Sequence, residues 1–163
     1  MAHIDKNKKL RPSILDRLLD NEPHIQTEAD KDRDQKLAQM RKSVRRDLET
    51  LLNTRCRVME PSDEFEQLET SLLNYGLPDL ATVNVLNLQK KIEFTQDLEN
   101  LLKEFEPRFK SVKVKFTDNK DTTDRTIRFR IDATLYADPY PEVVIFDSIL
   151  EPVTRTVNVD EAR

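Results

Sequence analysis

A single glycine, Gly76, serves the whole chain. Phosphate-cradling loops need several glycines so that backbone N–H groups can close on the ligand, and the P-loop and dinucleotide fingerprints are thereby excluded. Cysteine is equally scarce. Cys56 stands alone, so no internal disulfide forms and no cysteine-based metal spacing exists; a reducing cytosol is the simplest setting. His3 and His24 are the only histidines and both lie near the N-terminus, which argues against Cys–His or Ser–His–Asp chemistry. No apolar run approaches the ~20 residues of a bilayer span, and the N-terminus lacks the apolar stretch of a signal peptide. The expectation is a cytoplasmic protein with no cofactor, no metal and no direct membrane insertion.

What is present is charge, at 36% of residues, with a net of −4. It is unevenly distributed. Residues 31–57 hold nine Lys/Arg against four Asp/Glu, or +5, and residues 58–108 hold four against eleven, or −7. Such polarity can orient a partner without fixing a fold. Nucleic acid is not the expected partner, because the basic stretch has no interleaved aromatics and the chain is acidic overall. The basic run, with Arg41, Lys42, Arg45 and Arg46, reads either as a docking patch or as a solvated helix face.

The first half reads as helices. Residues 1–11 are polar and without periodicity, a flexible lead-in, and residues 12–163 read as a single domain. Pro12 and Ser13 open a short helix in which Asp16 falls three residues after the cap, close to a capping box. A long helix is expected over about 30–52, because Leu37, Met40, Val44, Leu48 and Leu51 recur at spacings of 3, 4, 4 and 3. A second is expected from Ser62 to Tyr75, ended by Gly76 in the backbone conformation that glycine alone adopts freely. A third begins at Asn84 or Asn87 and runs to about Phe105, with Ile92, Leu98, Leu101, Leu102 and Phe105 facing the core.

After Pro107 the period becomes two. Val112, Val114 and Phe116 alternate with polar residues, and Ile127, Phe129, Ile131, Ala133 and Leu135 do so more clearly. The turns fall at residues 118–124 and 138–141. The run 143–146 predicts a central strand, and Val153, Val157 and Val159 a last strand near an edge. Helices first and strands afterwards predict an α+β domain, in which N-terminal helices pack on an antiparallel sheet of about four strands.

At the junction of the two halves lies Phe105-Glu106-Pro107-Arg108-Phe109. Proline stops the helix, so Glu106 and Arg108 are expected in a defined corner. An acid, a rigid spacer and a guanidinium suit docking better than bond-making. Arg108 could pair bidentately with a partner carboxylate, or it could brace the corner through an internal salt bridge. Paired carboxylates such as Glu104 and Glu106 could in principle hydrolyse a glycosidic bond, though nothing in the sequence indicates a substrate cleft, and Glu106 fits better as a partner of Arg108.

Taken in order, Pro12-Ser13-Ile14-Leu15-Asp16-Arg17-Leu18, the stretch 43–55 with Arg45-Arg46-Asp47-Leu48-Glu49, the stretch 74–80, Phe105-Glu106-Pro107-Arg108 and Phe146-Asp147-Ser148 resemble the TssE family of type VI secretion baseplate subunits. That family is related to a phage baseplate wedge protein and has often been labelled lysozyme-like. The resemblance spans about residues 10–160. It implies a non-enzymatic wedge component that assembles with TssF, TssG and TssK, in a baseplate docked at the inner-membrane complex. It also implies that Glu106, Pro107 and Arg108 dock on the TssF/TssG core bundle. The fold it implies is similar to the handshake domain of the contractile sheath subunits TssB and TssC, with a sheet edge that templates sheath polymerisation. The lysozyme label leaves cell-wall hydrolysis as the competing function.

Overall fold

The computed structural model describes residues 13–19, 23–24, 33–56, 68, 71–77, 88–117, 126–137, 140–151 and 153–162. Among these, helices precede a four-stranded sheet, the α+β order expected. A short helix α1 spans Ile14–Leu18 and a long helix α2 spans Arg33–Asn53. A 3-10 turn covers Leu72–Asn74, and helix α3 spans Leu88–Phe105. The strands are β1, Phe109–Thr117; β2, Ile127–Leu135; β3, Glu142–Glu151; and β4, Thr156–Glu161.

The sheet is a meander in the order β1-β2-β3-β4 with every pair antiparallel. Strict alternation makes it two-faced. In β2, residues 127, 129, 131, 133 and 135 are all buried while Arg128 and Arg130 are exposed. The solvated face carries cross-strand pairs, Lys115 to Asp132 at 2.7 Å and Arg130 to Asp147 at 2.7 Å. Exposed pairs of this kind set register more than they add stability.

The helices cover the other face. Leu37, Val44, Leu48, Leu51 and Leu52 of α2 are buried, with Met40 packed partly against them. This is the expected stripe. From α3 the buried residues are Phe94, Leu98 and Leu102, with Leu101 and Phe105 half-buried. Ile92 is not among them: it is 42% exposed. Six residues at about 100° each turn it about 120° away from Leu98, and Phe94 takes its place.

Other expectations shift in detail. Val143 is exposed and Val144 buried, so β3 is internal but alternates like its neighbours instead of burying both faces. Val153 is 92% exposed in the turn before β4 and does not belong to that strand. The helix expected to start at Ser62 and the turn at 118–124 lie outside the described residues. What is described of that helix's far end is the 3-10 turn capped by Ser71.

Gly76 sits just beyond that turn at φ +114°. A Cβ there would meet the carbonyl oxygen of Thr54 at 2.5 Å. The glycine is therefore needed for close approach as well as for its backbone angle. It lets Leu77 pair in parallel with Arg55, through Leu77 N–H to Thr54 O at 2.8 Å and Cys56 N–H to Leu77 O at 3.0 Å. Leu77 is then buried in the core.

Candidate functional site

The corner forms because α3 ends on Glu106. The Glu106 N–H closes the last helical bond to Leu102, and its carbonyl accepts from Phe109 N–H at 3.1 Å. Residues 106–109 thus make a β-turn with Pro107 at its second position, where a fixed φ is favourable. The Tyr136 N–H, just past β2, bonds the Arg108 carbonyl at 2.9 Å and ties the corner to the sheet. Pro107 is exposed, Arg108 half-buried and Glu106 buried at 5% exposure.

The Arg108 guanidinium faces inward. Its Nε and Nη2 donate to the two carboxylate oxygens of Glu106 at 2.6 and 2.5 Å. Nη2 also donates to Asp47 Oδ2 at 2.7 Å, and Nη1 to Ser43 Oγ at 3.1 Å. Burial works against the cation, but Glu106 and Asp47 more than offset it, and the Arg108 pKa rises above its ordinary value. Most of the fork's donors are therefore spent within the chain. The internal brace weighed from the sequence is present.

The network extends to the N-terminal helix. Ser43 Oγ donates to Asp16 Oδ2 at 2.6 Å, and Arg46 reaches Asp16 at 2.9 Å and Asp47 at 3.0 Å. Burial pushes the Asp16 carboxyl up; hydrogen bonds from Ser43, Ser13 and Arg46 overcome it and leave the pKa below the ordinary value. Three acids and two guanidiniums thus link α1, α2 and the α3–β1 corner.

Arg45 and Arg46, adjacent in sequence, part company here. Arg46 joins the corner network. Arg45 donates to the Val159 carbonyl at 2.9 Å, with Glu49 at 3.6 Å, on the side of α2 that meets β4. There it belongs to a row of side chains along the outer edge of that strand. Asn53 donates to the Val157 carbonyl and accepts from its N–H, both at 2.8 Å, as a neighbouring strand would. Arg55 donates to the Arg155 carbonyl at 2.6 Å. The outer edge of the last strand is thus occupied by side chains from α2 and the residues just after it.

At the opposite edge, the Val114 N–H is bonded to Glu99 Oε1 at 2.9 Å. Backbone groups alternate in direction along an antiparallel strand, so Val112 and Phe116 also point outward from β1. Their neighbours Lys113 and Lys115 are exposed on the solvated face.

Beside the corner lies a pocket of 440 Å³. Leu48, Leu51, Tyr75 and Phe105 are apolar lining residues, and Asp47, Pro107 and Arg108 are among the others. Tyr75 and Phe105 meet edge to face at 5.3 Å. Burial, then the nearby Asp47 and Glu106 charges, raise the Tyr75 pKa. Glu104 is exposed, whereas Glu106 commits both oxygens to Arg108, so the two do not form a facing pair across a cleft. Among the described residues no cluster of His, Cys, Asp and Glu could hold a metal, and no helix is long and apolar enough to cross a membrane.

Asp16, Ser43 and Asp47 complete a site whose sequence signal was faint. Ser43 stands next to Val44 on the buried side of α2, where an apolar residue would serve packing alone. Asp16 had a sufficient role in capping its own helix.

The family model described as baseplate wedge protein gp25 matches residues 38–140, well over half of the chain. The matched span includes most of α2, the Gly76 crossing, α3, the corner, β1 and β2; α1, β3 and β4 lie outside it. No curated protein and no solved structure matches the chain. With its corner and its helix-then-meander order inside or continuous with the matched span, the chain belongs to the baseplate wedge protein gp25 family.

Proposed function

We propose that this protein is a structural subunit of a type VI secretion baseplate, without enzymatic activity. It docks on the TssF/TssG core bundle at the Glu106–Pro107–Arg108 corner, joins TssK in the wedge, and offers a sheet edge to the TssB/TssC sheath. It works in the cytoplasm, in a baseplate held at the inner-membrane complex. The observation that carries this reading is the corner itself: an exposed proline beside a largely apolar pocket, held by a network of ion pairs and hydrogen bonds.

That network changes how the corner acts. Arg108 is not a loose fork waiting for a carboxylate. It fixes Pro107 and the pocket rim in one geometry, so little side-chain entropy is lost when a partner arrives. An apolar anchor from the core bundle fits the pocket floor of Leu48, Leu51, Tyr75 and Phe105. For the sheath, β1 is the more open edge, because α2 side chains already occupy β4. A strand adding to β1 displaces Glu99 and gains the outward groups of Val112, Val114 and Phe116.

The direct test is co-purification of the tagged chain with TssF and TssG. Glu106→Gln and Arg108→Gln are introduced together, so that no buried charge is orphaned. Retention of the wild type, with loss in the folded double variant, supports the corner. A folded double variant that is retained as well as wild type contradicts it.

A further inference from the structure

The two outer strands of the sheet carry opposite charge. β1 holds Lys110, Lys113 and Lys115 and no acid, whereas β4 holds Asp160 and Glu161 and no base. Among the described residues no strand pairs beyond β1. Lys115 reaches Asp132 of β2 at 2.7 Å, yet its side chain is 65% exposed. Lys113 lies directly across from the same Asp132 and is exposed. It forms no ion pair among the described residues, and neither does Lys110. Asp132 thus faces two lysines, and the solvated side of the β1 edge keeps unspent positive charge.

The helix side of the same edge is apolar. Glu99 of α3 accepts the outward N–H of Val114 at 2.9 Å, where a carbonyl of an adjoining strand would otherwise stand. Ile92 precedes Glu99 by seven residues, nearly two full turns, so it lies on the same side of α3. It is 42% exposed. That end of the helix is seated on β1, because Lys91 Nζ lies 5.6 Å and the Phe94 ring 5.7 Å from the ring of half-buried Phe116. Lysines therefore flank the β1 edge on one face, and Ile92 with Phe116 on the other.

We propose that the β1 edge selects an extended partner segment with carboxylates at alternate positions, facing Lys113 and Lys115, and apolar residues between them that rest on Ile92 and Phe116. Successive side chains of a strand point to opposite faces, so one register satisfies both rows. Val112, Val114 and Phe116 supply the outward backbone groups. In an antiparallel addition Lys113 and Lys115 then fall at non-hydrogen-bonded pairs, where opposed side chains come closest and opposite charges help most. A second copy of this chain does not fit. β1 against β1 sets lysine beside lysine, and the acidic β4 has its outer edge closed by Arg45 and Asn53. The inference rests on the sheath reading above and deepens it, by stating which strand chemistry the edge selects.

The test uses the full chain with the TssB–TssC complex as probe, and reads the dissociation constant beside amide exchange at Val112 and Phe116. Lys113→Gln with Lys115→Gln changes two exposed side chains, so the unfolding midpoint should hold. In the wild type, binding should protect both amides and weaken as salt is added. In the double variant the dissociation constant should rise about fivefold and depend less on salt. Protection of both amides with wild-type affinity in the variant overturns the acidic strand and leaves the edge reading standing. Binding without that protection, or no binding by the wild type, removes the edge reading and the proposal with it. Protection that appears in the chain alone and grows with its concentration assigns the edge to a second copy, which also overturns the proposal.

Discussion

Arg108 holds together parts of the chain that are far apart in sequence, and removing it exposes that role. In Arg108→Ala the Glu106 carboxylate, 6% exposed in its side chain, is left buried without its cation. Breaking one side of such a pair costs about 3 kcal/mol, so the urea midpoint should fall clearly. Replacing Glu106 and Arg108 together by glutamine should cost much less, because no charge is stranded. A midpoint in Arg108→Ala equal to wild type would show that the brace carries no stability. Gly76 is constrained by geometry instead. Alanine there must adopt φ +114° and place its Cβ 2.5 Å from the Thr54 carbonyl. The angle alone costs about 1–2 kcal/mol, and the clash adds to it; thermal unfolding of Gly76→Ala measures the sum. Asp16 supplies a pH signature. Its folded pKa lies below the ordinary value of 3.8, so the undocked helix binds protons more readily. The stabilisation is full above about pH 4 and is lost as pH falls through the folded value. Protection factors of the Leu18 and Leu19 amides, taken against the intrinsic exchange rate at each pH, should therefore fall in acid while the β2 amides stay protected, and Asp16→Asn should remove the step.

At the scale of elements, the two edges of the sheet are managed differently. Asn53 imitates a strand against Val157, accepting and donating at 2.8 Å. Asn53→Ala leaves one N–H and one C=O open on the β4 edge, at a cost of about 1–3 kcal/mol. It should also introduce concentration-dependent association visible by light scattering, since an open edge recruits strands. Unchanged monomeric behaviour at high concentration would show that the cap is dispensable. This device was invisible in the sequence, because Asn53 and Val157 are 104 residues apart and nothing local marks the pairing. The alternating strands were legible for the opposite reason: one face is buried along the full length of β2, and period two records it directly. The α2 stripe was legible through its period of 3.6. Ile92 was misplaced because its apolarity outweighed its angular position, which points away from Leu98. At the corner, Glu106, Pro107 and Arg108 could be singled out from the proline break between the last helix and the first strand. Their partners Ser43 and Asp47 could not, because they join the corner only once α2 lies across it.

At the scale of the whole molecule, some of the exposed apolar groups lie close to the corner. Ile14, Leu15, Leu18 and Leu19 flank Asp16, which Ser43 links to Arg108, and Tyr136, 40% exposed, is bonded to the corner through the Arg108 carbonyl. Along β4 the outer edge is closed by side chains of α2. One sheet edge is thus sealed, and on the proposed reading the corner end is left to engage the other baseplate subunits. The measurement that tests this most directly is retention of TssF and TssG by the tagged full-length chain, with the unfolding midpoint of each variant recorded beside it. The account predicts that wild type retains both proteins, and that the folded Glu106→Gln, Arg108→Gln double variant releases them. Retention by that variant at wild-type level, or no retention by the wild type, would contradict it.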